Sequence, residues 1–97
     1  MPKAYWIATY RAVHDPAKMA KYAVLAVPAI TAGGGKFLAR SEAAHAYEAG
    51  LKARTVLIEF PSVAAAAATH DSPAYQDALA ALDGGAEREI RIVEAVE

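Results

Sequence analysis

Cysteine is absent from the 97 residues, which removes disulfide scaffolds and thiolate catalysis together. Clustered basic charge is missing as well: ten Lys and Arg are offset by eleven Asp and Glu, for a formal net charge of −1. A nucleic-acid surface needs a patch that neutralises phosphates, so no such partner is expected. No apolar run approaches the ~18 residues of a membrane span. The start, MPKAYWIATY, passes directly into a strand pattern without the apolar core of a leader. These absences point to a cytoplasmic protein with no membrane partner. Metal-ligand spacing is lacking too, because none of His14, His45 and His70 has a second histidine three or four residues away. No metal and no cofactor is expected.

What is present is alanine. Hydrophobic residues make up 56% of the chain, yet many are alanines that each bury little area. A chain of this length reads as one domain, residues 1–97, and a fold of this size hides only about 60–70% of the surface its unfolded chain exposes. Burying a sheet face against a second copy would add stability, so a homodimer is expected.

The chain is organised around Glu59 to Leu79, EFPSVAAAAATHDSPAYQDAL. Before and into it, Arg54 to Phe60 is rich in β-branched and aromatic residues that suit a strand, and Pro61 cannot donate to a ladder, so the strand should stop there. Ser62 can cap a helix built on Ala64 to Ala68, residues of the highest helix propensity. A helix of alanines is thin and can lie close to a sheet. At His70-Asp71-Ser72-Pro73 the chain must turn, with Ser72 as a second cap and Pro73 at the first helical position. Tyr75, Ala78, Leu79 and Leu82 then share one helical face, which Gly84 and Gly85 would end.

Upstream, Ala4 to Val13 alternates Tyr5, Ile7 and Thr9 against Trp6, Ala8 and Tyr10, which suggests a central strand covered on both faces. Asp15-Pro16 opens a helix striped by Met19, Tyr22, Ala23, Ala26 and Ile30. Pro28 falls inside it, so a kink or restart is expected near Val27. Gly33-Gly34-Gly35 would end the helix. A phosphate cradle is the other reading of those glycines, but Lys36 leads into the strand-like Phe37-Leu38-Ala39 rather than into a helix, so a cap and turn is favoured. The last strand is expected over Glu87 to Val96, alternating Ile90, Ile92 and Glu94 against Arg91, Val93 and Ala95.

The segments AYWIA, GGKFLAR, EFPS and DSPAYQ, in this order and spread from Ala4 to Val96, resemble the bacterial domain-of-unknown-function family 1330. The resemblance implies an α+β, ferredoxin-like βαββαβ domain of the dimeric α/β-barrel group, with a four-stranded antiparallel sheet and helices on one face. It implies no reaction. It also places an extended arm and hairpin bend, near Glu48 and Gly50, in residues 41–53, where SEAAHAYEAGLKA taken alone has high helix propensity. Thr69 and His70 stand where members of the family often carry a bulky aromatic. With helices on one face only, the other face is left bare, the main physical reason to expect a dimer.

Candidate site residues follow from chemistry. His70 beside Asp71 could be a proton-transfer pair, since a carboxylate orients an imidazole; the alternative is a turn that caps the next helix, because neighbours on a turn seldom face each other. Arg40 and Arg54, near the ends of adjacent strands, could grip a small acidic ligand. Solvation, or ion pairs to Glu48 or Glu59, is the alternative. Tyr22 and Tyr75, with Tyr10 and Trp6, would wall a pocket or fill the core. Glu59 could be a buried base or the carboxylate of an ion pair. Two functions are therefore open: a small organic molecule held in the cleft between sheet and helices, with cofactor-independent catalysis there as an extension, or a non-catalytic dimeric binding or structural module.

Overall fold

The computed structural model describes residues 2–96. In chain order it has β1 (Ala4–Val13), α1 (Pro16–Ala32), β2 (Lys36–Glu42), β3 (Arg54–Phe60), α2 (Val63–Asp71), α3 (Pro73–Leu82) and β4 (Ala86–Glu94). The four strands form one antiparallel sheet in the order β2-β3-β1-β4. This is the expected βαββαβ arrangement, its second helix divided in two at Ser72-Pro73.

Each helix begins where a side chain satisfies backbone N–H groups that have no intrahelical acceptor. Asp15 accepts from the N–H of Ala17 and Lys18, Ser62 from Ala65, and Ser72 from Tyr75. α1 ends at the glycines, and Gly34 takes φ +96°, the left-handed region that glycine enters without penalty. Gly33 lies against α2, where an added Cβ would stand 1.9 Å from the Thr69 hydroxyl oxygen. The alanine-rich α2 thus approaches closely, as its thin side chains allow.

Inward residues alternate along the strands. Trp6 faces Ile58 and Ile92, and Ala8 faces Val56 and Ile90, across β3 and β4. Trp6, Tyr75, Phe60 and Ile58 are the largest fully buried side chains, and Tyr22, Ala26, Ala29 and Ile30 of α1 close over the same core. The Trp6 ring meets Tyr75 edge-on with centroids 5.0 Å apart and lies 5.9 Å from Phe60. Such pairs add about 0.5–1.5 kcal/mol beyond the area they bury.

Three expectations need correction. β1 is buried on one face only; Tyr5 and Ile7 are half-buried and Thr9 and Arg11 are exposed, because both helical layers lie on the side of Trp6. α1 runs through Pro28 without a restart at Val27. Proline deprives only the Val24 carbonyl of its partner, and Val24 belongs to the water side, 73% exposed. β4 is Ala86–Glu94, shorter at its C-terminal end than expected; beyond it Ala95 donates to the Lys3 carbonyl at 2.8 Å.

Residues 43–53 form the extended arm that the family resemblance implied, not a helix. Ala43 donates to Ala53 at its base, Gly50 donates to Tyr47 at its tip, and Glu48 takes φ 53° in the bend. The arm leans over the helix-free face of the sheet. Ala49, Gly50 and Leu51 there border, with Ile7, Thr55 and Val93, an open hollow of about 990 Å³, its mouth included.

Candidate functional site

Between α1 and the sheet lies a cleft whose residues come from every strand. The strand order sets its polar end. Tyr10 on β1 is opposite Arg88 on β4, and Arg54 opens β3 on Tyr10's other side, its guanidinium carbon 6.0 Å from the Tyr10 ring centroid. Arg40, opposite Val56 on β2, stacks on Phe37 at 5.1 Å. From above, α1 supplies Met19, Tyr22, Ala23, Ala26 and Val27. The cleft encloses about 390 Å³ of unfilled space, its open mouth included. Inside the mouth the enclosed cavity is only about 30 Å³, enough for roughly two waters.

Arg88 is the most heavily bonded side chain of the site. It donates to the Tyr10 hydroxyl at 2.8 Å, to Tyr22 at 3.0 Å and to Tyr75 at 3.2 Å. Tyr22 and Tyr75 hydrogen-bond to each other at 2.7 Å. The Arg88 guanidinium also lies 4.5 Å from the Tyr22 ring centroid and 5.4 Å from that of Tyr10. Burial alone would weaken its charge, but the phenol oxygens around it outweigh burial and hold its pKa above the ordinary value. Burial raises the Tyr75 hydroxyl far above its usual range and raises Tyr10 too, Arg88 opposing both shifts. Tyr10 and Tyr75 therefore stay protonated at neutral pH.

Arg54 is the opposite case. Its Nε is buried and has no hydrogen-bond partner. Among the described residues, none of the ion pairs involves Arg40, Arg54 or Arg88. Glu59 faces the other side of the sheet and pairs with Lys3 at 3.3 Å, and Glu42, opposite Arg54 in the ladder, makes no ion pair with it.

The structure thus gathers Arg40, Arg54 and Tyr22 at one cleft. Tyr75 is buried behind Tyr22 and reaches the cleft only through its hydroxyl contacts. His70 and Asp71 do face each other, with Nδ1 3.1 Å from Oδ1, contrary to the expectation for neighbours on a turn. Neither lines the cleft. Asp71 is largely exposed, and the His70 ring rests on Trp6 and Tyr75 with centroids 5.7 and 5.3 Å away. Sequence reasoning missed Arg88. Its signal was present in β4: Arg88, Ile90 and Ile92 share one parity, which puts a charge on the dry face.

A family model described as "Domain of unknown function (DUF1330)" matches residues 3–96. Among solved structures, a protein of unknown function from Rhodopseudomonas palustris superposes with a TM-score of 0.76 at 15% identity, over 99% of this chain and 84% of that one. SnoaB, a cofactor-independent oxygenase from Streptomyces nogalater, superposes at 0.67 with 13% identity, over 100% and 96% of the two chains. A Caulobacter crescentus protein assigned to the antibiotic biosynthesis monooxygenases gives 0.63 at 20% identity, over 99% and 92%. Likeness at such identities establishes the ferredoxin-like fold and nothing of the chemistry. No curated protein matches the sequence closely enough to lend it an activity.

Proposed function

We propose that this chain, which belongs to the DUF1330 family, binds a small organic molecule in the cleft between α1 and the sheet. One observation carries the reading: polar groups from all four strands converge on an otherwise apolar cleft, and one of them, the Arg54 Nε, is buried without a partner. A buried donor left unpaired costs roughly 1–3 kcal/mol, and more when charged. A fold that retains such a group at a cleft is poised to receive an acceptor. A thermal-shift screen of small organic acids, lactones and aromatics tests this, since a ligand that binds only the native state must raise the midpoint. If no compound stabilises the wild type but not a variant with the cleft filled by Ala23→Trp, the reading fails.

Binding without turnover is the form that the lining favours. Among the described residues, no Ser, Thr, His, Asp or Glu side chain lines the cleft, so they supply no nucleophile paired with a base there. Cofactor-independent catalysis, as in the structurally similar oxygenase SnoaB, would have to work through Tyr10 or Tyr22. Reproducible turnover lost in Tyr22→Phe with the fold intact would replace the binding reading by the catalytic one.

The helix-free face supports a homodimer. Tyr5, Ile7 and Leu57 are half-buried there, Val93 is 47% exposed, and Leu51 and Tyr47 on the arm are 52% and 78% exposed. A second copy would cover them and seat the arm. Light scattering across a concentration series is the check, and a monomer at high concentration would remove the dimer from the proposal.

A further inference from the structure

The hydrogen atoms of the cleft can be counted. Tyr10, Tyr22 and Tyr75 bring three hydroxyl hydrogens, and all three oxygens already accept from Arg88. The Tyr22–Tyr75 bond uses one hydrogen, whichever hydroxyl donates. The Tyr10 hydrogen and one from the Tyr22–Tyr75 pair are left without an acceptor among the side-chain hydrogen bonds of the described residues. To these are added the Nε–H of Arg54, buried and unpaired, and the guanidinium of Arg40. Among the described residues, the lining has no side-chain carboxylate, amide, imidazole or aliphatic hydroxyl to receive them. Arg88, by filling lone pairs on the phenol oxygens, turns Tyr10 and one hydroxyl of the Tyr22–Tyr75 pair into donors. The cleft has become a surface of donors and positive charge.

We infer that the ligand is a small organic anion, with its carboxylate or equivalent oxygen pair between Arg54 and Arg40 and an apolar body under α1 against Met19, Ala23 and Val27. This rests on the proposed cleft site and names the chemical class it takes. A neutral guest would leave the charge of the guanidinium groups uncompensated; a cation would meet like charge on three sides. Guanidinium binds carboxylate through two parallel hydrogen bonds, the match that an unpaired Nε–H and its neighbouring N–H offer. The enclosed part of the cleft, about 30 Å³, takes little more than the carboxylate group itself, so a ring or short chain is seated only as the mouth gives way. Arg40, exposed at the edge strand and resting on Phe37, is the group free to swing aside for entry.

The test pairs each acid with its uncharged isostere: benzoate with benzamide, phenylacetate with phenylacetamide, at pH 7 and constant ionic strength. Calorimetry and thermal shift are read on the wild type, Arg54→Met and Arg40→Met. The expected result is binding of the acids over the amides, weakened about tenfold or more in Arg54→Met, the loss of one charge-assisted hydrogen bond. A smaller loss is expected in Arg40→Met. The second variant, at an exposed position, guards against a folding defect in the first. Amides that bind as tightly as acids would overturn the anion while leaving the cleft site standing. Acids that bind both variants undiminished would also overturn it, by placing them elsewhere. If neither acids nor amides bind, the cleft reading falls as well.

Discussion

Arg88 and Arg54 flank the same tyrosine on the same face of the sheet, yet one donates three hydrogen bonds and the other keeps a buried Nε without a partner. Around Arg88, three phenols from β1, α1 and α3 converge within 3.2 Å. Around Arg54 the Nε finds nothing. A guanidinium held by several hydrogen bonds fixes structure, whereas one with a buried N–H left unpaired destabilises the empty protein and gains only when something arrives. The β4 end of the cleft is built; the β3–β2 end is waiting.

Removing each arginine in turn is the sharpest way to try that contrast. Arg88→Met should cost about 3 kcal/mol, because three buried hydroxyls lose a charged donor. For a domain of this size that is a drop of roughly 12–24 °C in Tm by scanning calorimetry. Tyr75→Phe removes the bond to Tyr22 and one bond to Arg88 while keeping the ring against Trp6, so about 1–2 kcal/mol should go. Arg54→Met should leave the unliganded protein within about 0.5 kcal/mol of wild type or slightly stabilise it, since a well-packed apolar group replaces an unsatisfied one. If Arg54→Met unfolded the chain as readily as Arg88→Met, the two ends would not differ as described.

The smallest effect is expected from pH. Tyr75 has a raised pKa in the folded state, so the unfolded chain loses that proton first, from the ordinary value of 10.0. Stability is therefore intact below pH 10 and falls as pH rises beyond it. Tyr75→Phe should flatten that fall in a denaturation series from pH 8 to 11, and an unchanged slope would mean that Tyr75 is not shielded.

Most of the frame could be read from local chemistry. Asp15, Ser62 and Ser72 announce three helix starts, and all three side chains accept the expected N–H groups. The arm could not be read this way. Residues 43–53 favour a helix when taken alone, and only family resemblance gave the extended form. At the site, Arg40, Arg54 and Tyr22 were legible as residue types near strand ends, but which tyrosine lines the cleft depends on how α1 sits on α3, a relation between segments distant in sequence. The same limit hid the role of Arg88, whose partners Tyr10 and Tyr22 lie 78 and 66 residues away.

The hydroxyl pair of Tyr22 and Tyr75 works as a spine. It laces α1 to α3 and, through Arg88, to β4, so that margin of the cleft is sewn shut. Along β2 no such stitching exists: Arg40 is exposed, and the ladder breaks register between Phe37 and Ala39, leaving Leu38 44% exposed. Traffic into and out of the cleft should therefore cross the β2 rim, like pages parting opposite a binding. Any partner clamped over that edge strand would set the rate of exchange without touching the guest.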